Sequence, residues 1–373
     1  MIQDFEEYIR QGEPGKVEKS QIWQTAIGLQ QVDGLTPSAY LIETAKENIE
    51  GKITFDEVKY RIDSYYKTKT VKNDDDDRTE EADKVSARIA EILGENTFTF
   101  SPIKYIAIHR QLFTGIYKFA GKIRDYNITK SEWVLNGKTV FYASADDIRA
   151  TLDYDFEQEK AFSYKNLNKQ EMVDHIAKFI SGLWQIHAFG EGNTRTTAVF
   201  AIKYLRSFGF EIDNTQFAQH SWYFRNALVR ANYNDYQNKA YATQEYLMRF
   251  FGNLLFGENN ELKNRYLRIV VGENVVGEDN SGGQKNENSG QKKFPEKDKK
   301  FSAKFSVKFS ANQEKMLSLI EETPVITAKE MAQILGISER AVNKNLAKLK
   351  QLKILTREGS DKKGQWIIIN YKS

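Results

Sequence analysis

Along most of the first 256 residues, apolar positions recur every three or four places, the spacing of one buried helix face. Two such runs, Met172 to Trp184 and Ala198 to Leu205, predict buried helices on either side of a short polar connection. The same period runs from Pro102 through Ile106, His109, Leu112, Phe113, Ile116 and Tyr117 to about Ala120-Gly121. It also predicts helices near 146–159, 169–186, 195–208, 215–232 and 242–256, with Gly209 as the C-cap of the one leaving the connection. Upstream, Ser20 reads as the cap of a helix through Trp23 and Ile27 that stops near Asp33-Gly34. Thr36-Pro37 restarts a helix that ends at Gly51, and Thr54 with Glu57 has the capping-box spacing for a third, to about Tyr65. The acidic run Asn73 to Asp77 reads as a solvated loop ahead of a helix from Glu80 to Leu93, where negative charge is favoured.

One segment breaks the helical period. Tyr126–Thr129 and Trp133–Leu135 lead to Asn136-Gly137 and then Thr139–Tyr142, and Asn-Gly between apolar flanks predicts a β-hairpin. A lone two-stranded ribbon is marginal, so it is expected to lie against a neighbour. His109 falls on the apolar stripe of its helix and reads as a packed, hydrogen-bonded core residue; His175 and His220 are isolated and receive no role.

From Gly272 to Asn312 the composition shifts to Gly, Ser, Asn and Lys, with Phe301, Phe305 and Phe309 among lysines, which predicts a flexible linker. Beyond it come a helix (Gln313–Glu321), Thr327 capping Ala328–Leu335, the turn Gly336-Ile337-Ser338, and a helix Glu339–Leu352. Two strands, Ile354–Arg357 and Gln365–Ile369, flank the polar turn Glu358–Gly364. Helix, helix, turn, helix and hairpin make a winged helix-turn-helix. Ser338, Arg340, Asn343, Lys344 and Lys348 are then candidates to face a DNA groove, with Arg357, Lys362 and Lys363 on the wing. The same fold serves protein contacts, and Glu339 opposes DNA, so both partners stay open. The chain divides into a helical segment at 1–70, a core at 71–265, a basic linker at 266–311 and the winged domain at 312–373.

Composition narrows the chemistry. The 373 residues contain no Cys, which excludes disulfides, Cys-zinc sites and thiol nucleophiles and fits a reducing cytoplasm, the expected location. The opening residues carry no basic and apolar leader pattern, and no run approaches the roughly 18 apolar residues of a membrane span, so no membrane partner is expected. The net charge of +3 hides an asymmetry. From Ser281 to Ser373 there are 19 Lys and Arg against 10 Asp and Glu, leaving 35 against 41 before it. A polyanion such as nucleic acid, if bound, is expected at the basic C-terminal part.

The densest chemistry lies in the connection Gln185-Ile186-His187-Ala188-Phe189-Gly190-Glu191-Gly192-Asn193-Thr194-Arg195-Thr196-Thr197. A glycine loop at a helix N-terminus presents backbone N–H groups to an anion. Glu191 can hold a hard divalent cation, Arg195 can clamp a phosphate, and His187 is the natural general base near neutral pH. The residues by themselves read as a nucleotide-phosphate site with a proton acceptor beside it.

The stretch His187 to Arg195 resembles the Fic family signature His-Pro-Phe-x-Asp/Glu-Gly-Asn-Gly-Arg, matching six of its eight fixed positions; Ala188 and Thr194 depart from it. His109-Arg110-Gln111-Leu112-Phe113 with Tyr117, Ala120-Gly121-Lys122 and Arg124 resembles the family's preceding helix and the run into its flap. Leu29 to Ser38 resembles the antitoxin-type inhibitory segment fused in cis, and a winged helix is a common appendage. The resemblance implies a mainly α fold: a helical Fic core with a β-hairpin flap, plus a C-terminal winged-helix domain. It implies transfer of AMP from ATP to a Ser, Thr or Tyr hydroxyl of a target protein and of the chain itself, with Mg²⁺. His187 would take the hydroxyl proton, Glu191 would hold the metal, and Gly192, Asn193, Thr194 and Arg195 would receive phosphate. Thr129, Lys130, Val140 and Phe141 on the flap would dock the target by strand addition. A homodimer also stands among the candidate partners.

Three departures shape the expectation. Thr194 replaces a glycine, which strains the loop if φ must be positive there. Ala198 takes the place of a second arginine that contacts the γ-phosphate, which opens the site to other nucleotide donors. Asp33 stands where the inhibitory glutamate is expected and its usual partner is absent, which leaves three readings: Asp33 reaches Arg195 instead, the lock is weak, or Asp33-Gly34 is simply an inter-helix turn. A rival of another class is a DNA-binding regulator that senses nucleotide without turnover.

Overall fold

A computed structural model of the chain describes residues 5–68, 74–212, 215–235, 240–269, 311–323, 326–335, 339–351, 355–358 and 365–368. Two compact units emerge, Met1–Asn274 and Val275–Ser373. In the first, eleven helices are described: α1 (Glu6–Gln11), α2 (Pro14–Gly28), α3 (Ala39–Ile49), α4 (Phe55–Thr68), α5 (Asp74–Gly94), α6 (Pro102–Phe113), α7 (Ile148–Ala161), α8 (Lys169–Ile186), α9 (Asn193–Ser207), α10 (Thr215–Ala231) and α11 (Glu245–Phe256).

Helix α9 is the axis of this unit. Every residue from Asn193 to Leu205 is buried, as expected of a helix enclosed on all sides. α5, α6 and α8 pack directly against it. α8 starts with a reciprocal capping box, Asn168 with Glu171, and aims its apolar face inward so that its last turn delivers Trp184 and His187 to the core.

The N-terminal helices belong to the same packed unit. α2 lies against α5 and α10, and Trp23, Ala26 and Leu29 join one continuous core with α9. At the α2–α10 crossing a Cβ on Gly28 would sit 2.4 Å from the Ala218 carbonyl oxygen, so only glycine allows the approach. Helix boundaries differ from the pattern reading in four places, the first being α6, which ends at Phe113 rather than near Ala120-Gly121. Ser20 is no cap: α2 begins at Pro14, and the Ser20 hydroxyl, buried mid-helix, donates to Lys16 O (2.6 Å). Ser38 rather than Thr36-Pro37 opens α3, its Oγ accepting from Leu41 N–H (3.1 Å) while it donates to Asp83 (2.6 Å). The acidic run from Asp74 is the first turn of α5 itself.

The expected hairpin keeps its turn and loses its strands. Asn136 and Gly137 both have positive φ (53° and 86°), as the Asn-Gly turn requires. Trp133–Leu135 coils into a 3₁₀ turn, however, and the described cross-turn bonds are Glu132 N–H to Lys138 O (2.9 Å) and Gly137 N–H to Glu132 O (3.0 Å). Burial decides this outcome, because coiling sends Val134 and Leu135 into the core, where both are fully buried. Ile269 N–H donates to Val134 O (2.9 Å) and Asn136 Nδ2 to Ile269 O (2.9 Å), pinning the loop to the unit.

The second unit holds α12 (Ala311–Glu322), α13 (Ala328–Leu335), α14 (Glu339–Gln351) and an antiparallel pair, β1 (Leu355–Glu358) with β2 (Gln365–Ile368), in register Arg357 opposite Trp366. Thr327 and Glu330 form the capping box of α13. Met316, Ile320, Met331, Val342, Leu346, Leu355 and Trp366 make its separate core, and Trp366 Nε1 donates to Ile326 O (3.0 Å). The order helix, helix, helix, hairpin is that of a winged helix.

Candidate active site

The connection between α8 and α9 is shaped at both ends by left-handed backbone. α8 closes at His187 (φ 50°), whose N–H still donates to Trp184 O (3.0 Å), and α9 opens at Gly192 (φ 77°). A non-glycine residue in that region is strained, so the fold forces the imidazole into the bend. At Gly192 a Cβ would stand 2.4 Å from the Phe113 ring, so no side chain fits. The first ladder bond of α9 is Thr196 N–H to Gly192 O (3.1 Å). The N–H groups of Asn193, Thr194 and Arg195 therefore precede the ladder at the positive end of a fifteen-residue helix.

Packing holds the bend in place. Phe189 is wholly buried and stacks on His109 with ring centroids 3.7 Å apart. His109 Nδ1 accepts from Gly121 N–H (2.9 Å), so Nε2 carries the proton that it donates to Glu191 O (3.0 Å). Burial pushes the His109 pKa down to about 4, keeping that neutral tautomer. Asn193 spends its amide on the loop, donating from Nδ2 to Phe189 O (2.7 Å) and accepting Phe189 N–H at Oδ1 (3.0 Å). Thr194 is helical; among the described non-glycine residues only Asn136, Asn166 and His187 have positive φ, so the strain foreseen for Thr194 does not arise. Its hydroxyl accepts from Trp184 Nε1 (3.0 Å) and ties the two helices together.

His187 is only 2% exposed. Its ring packs on Tyr142 at 4.1 Å and meets Trp184 edge-on at 5.3 Å. Nδ1 lies 3.3 Å from Trp184 O, which can only accept, so Nδ1 bears the proton and Nε2 keeps its lone pair. Nε2 has no hydrogen-bond partner. Burial first, then the nearby Lys130 charge, holds the imidazole well below its ordinary pKa, in the basic form at neutral pH.

Two neighbours close over the bend. From the flap, Lys130 Nζ reaches both oxygens of Glu191, at 2.8 and 2.9 Å. From the other side, Arg195 is fully buried and completely engaged by its own chain. Nη1 donates to Gln30 Oε1 (3.1 Å), and Nη2 donates to Glu81 Oε1 (2.6 Å) and to the Tyr117 hydroxyl (3.2 Å). Nε stands 2.8 Å from Asp33 Oδ2, a charge contact off hydrogen-bond alignment, and Phe113 faces the guanidinium at 4.8 Å. Burial alone would lower the Arg195 pKa, but Asp33, Tyr117 and Glu81 outweigh it and hold it raised. His187 and Arg195 have almost no exposed surface, whereas the Glu191 side chain is 43% exposed.

The structure thus gathers His187, Glu191, Gly192, Asn193, Thr194, Arg195, Lys130 and Asp33 around one bend. On the flap, Thr129 and Phe141 are exposed while Val140 is buried, and Gln185 Nε2 fastens Phe141 O (3.0 Å). Ala198 is wholly buried. Arg340, Asn343, Lys344 and Lys348 lie on α14, with Asn343 exposed; Lys362 and Lys363 lie outside the described residues. Roles not read from the sequence fall to Gln30, Glu81, Tyr142 and Arg124. Arg124 donates to the carbonyls of His187 (2.7 Å), Tyr126 (2.6 Å), Ala143 (2.5 Å) and Ile186 (3.3 Å), clamping the flap base to the bend. Arg124 was visible only as one position of a motif, and Glu81 is one of many acids on a polar helix face.

Comparison with known proteins finds two domain matches. Residues 99–205 match the Fic/DOC family and residues 312–359 match an HTH domain. Protein adenylyltransferase VbhT of Bartonella schoenbuchensis is 28% identical over 106 residues, 28% of this chain, which spans only 21% of VbhT. The probable protein adenylyltransferase y4lH of Sinorhizobium fredii is 26% identical over 146 residues, 39% of this chain and 71% of y4lH. BepC of Bartonella tribocorum, solved with bound AMPPNP, aligns at 19% identity over 50% of this chain and 90% of BepC, with a TM-score of 0.39. The chain thus carries a Fic/DOC domain at residues 99–205 joined to an HTH domain at residues 312–359.

Proposed function

We propose that the chain is a protein adenylyltransferase that moves AMP from ATP to a Ser, Thr or Tyr hydroxyl of a target protein and of itself. The observation that carries this reading is a neutral imidazole with an unpartnered Nε2 beside three amide groups ahead of the α9 ladder. His187 Nε2 accepts the proton as the hydroxyl oxygen attacks the α-phosphorus. The new P–O bond forms as the bond to the β-phosphate oxygen breaks and pyrophosphate leaves. The amide groups of Asn193, Thr194 and Arg195 and the α9 dipole stabilise the charge that gathers on the α-phosphate oxygens. Asn193 contributes through its backbone, because its side chain holds the bend. Thr129 and Phe141 are the exposed flap residues that a target segment would meet.

The Mg²⁺ expected from the resemblance would take Glu191. As arranged here, both oxygens of that carboxylate belong to Lys130, and no group of three potential metal-holding side chains exists among the described residues. The residues do not fit a metal in this conformation, and the steps above use none.

The conformation is an inhibited one. Asp33 and Gln30 from the turn after α2, with Glu81 from α5, occupy the guanidinium that a phosphate would use, and Tyr142 covers His187. Turnover requires the turn at residues 29–33 and the Tyr142 ring to shift. The test is incubation with α-labelled ATP of the wild type, Asp33→Asn, and Asp33→Asn with His187→Ala. Covalent label is expected to rise in the first variant and vanish in the second. Equal label in both would remove His187 from the mechanism.

For the second unit we infer DNA binding through α14, where Arg340, Lys344 and Lys348 recur every four residues and so share one face. Electrophoretic shift across a salt series tests it.

A further inference from the structure

The bidentate contact between Lys130 and Glu191 has no place in the steps above, and it stands at the mouth of the anion site. Gly192 N–H lies 3.3 Å from the same Glu191 oxygen that takes Lys130, so the ammonium sits where the α9 N-terminus opens. The lysine is delivered by anchored backbone. Lys130 N–H donates to Thr139 Oγ1 (3.1 Å). Two residues on, Glu132 is fully buried and takes Arg225 Nη1 at 2.6 Å, and Val134 and Leu135 fill the core. The backbone that carries Lys130 is therefore held in place.

We propose that Lys130 is the resident cation of the donor site, holding the nucleotide's phosphates beside Glu191 where a divalent metal would otherwise bridge them. This rests on the nucleotidyl-transfer reading. Charge counting supports it. One carboxylate neutralises one ammonium, whereas adding a divalent ion to the same oxygens sets two cations on a single acid and repels Lys130. An ammonium has three donors, and only those aimed at Glu191 are spent, leaving one for a phosphate oxygen. The absence of an arginine at Ala198 makes an extra cation at this mouth more consequential for gripping a polyphosphate.

The experiment measures binding of α,β-methylene-ATP by titration calorimetry, in EDTA and in Mg²⁺, to the full chain carrying Asp33→Asn, alone and with Lys130→Met or Lys130→Arg. In the lysine protein the two dissociation constants should agree within about threefold. Lys130→Met should weaken binding at least tenfold in EDTA and recover with Mg²⁺, while Lys130→Arg stays near the parent. If the lysine protein itself needs Mg²⁺ by tenfold or more, or if Lys130→Met binds as well as the parent in EDTA, Lys130 merely latches the flap and the inference is overturned. Binding by none of the proteins in either buffer overturns the nucleotide reading itself and this inference with it.

Discussion

Arg195 places one buried guanidinium between two carboxylates, and that count makes a quantitative prediction. Neutralising either acid leaves an ion pair, and neutralising both strands a buried cation. Asp33→Asn removes a contact off hydrogen-bond alignment from a side chain that is one-quarter exposed, and should cost about 0–1 kcal/mol. Glu81→Gln loses a short charged bond of 2.6 Å but keeps an accepting oxygen, for about 1–2 kcal/mol. The double variant leaves Arg195, with no exposed surface, without a counter-charge, which costs about 3–5 kcal/mol. It should therefore exceed the sum of the single changes by about 1–2 kcal/mol or more. At roughly 2–4 °C per kcal/mol for a unit of this size, the double variant should melt at least about 6 °C below the wild type. Calorimetry of the four proteins gives the cycle. A double variant equal to the sum of the singles within about 0.5 kcal/mol would mean that the two acids do not share one charge, and the cage reasoning fails.

Other outcomes follow from single residues. His109, with its pKa near 4 against about 6.5 unfolded, leaves the native state proton-free while the unfolded chain takes one up. Stability relative to His109→Gln should be constant above about pH 6.5 and fall by on the order of 3 kcal/mol by pH 4; a flat difference in urea midpoints sinks this. Gly192→Ala meets both positive φ and a ring at 2.4 Å, so a loss of about 2–4 kcal/mol is expected, and a loss under about 1 kcal/mol would show that the bend yields easily. Phe189→Ala removes the fully buried ring stacked on His109 and should cost about 3–5 kcal/mol in the same urea assay; a near-neutral result would mean the bend does not depend on it. Arg340→Ala and Lys344→Ala should each lower DNA affinity and flatten its log-salt slope by about 1; unchanged slopes point α14 toward a protein instead.

Much of this was legible beforehand where a local rule and tertiary packing agree. The periodicity around α8 and α9 and the order of the winged helix carry their own structure, and the Thr54–Glu57 capping box formed as written. Legibility failed where the fold overrode a local preference. Ser20 has a capping side chain, but Pro14 opens the helix earlier. Trp133–Leu135 is an apolar run next to an Asn-Gly turn and so reads as a strand, yet burying Val134 and Leu135 together needs a coil. At the site, residue types suggested the anion pocket with a base that is proposed above. Which side chains would engage Arg195 was hidden, because Gln30 and Glu81 lie 165 and 114 positions from it and no short window shows that meeting.

The turn proposed to inhibit the site is stitched into the surrounding helical unit. Phe5 and Trp23 are sealed from solvent, and α2 shares its core with α9. A protease that clipped this region away would tear out part of the scaffold along with the plug. On the proposed reading, relief comes from a local shift of the turn between Gly28 and Gly34 rather than from its excision.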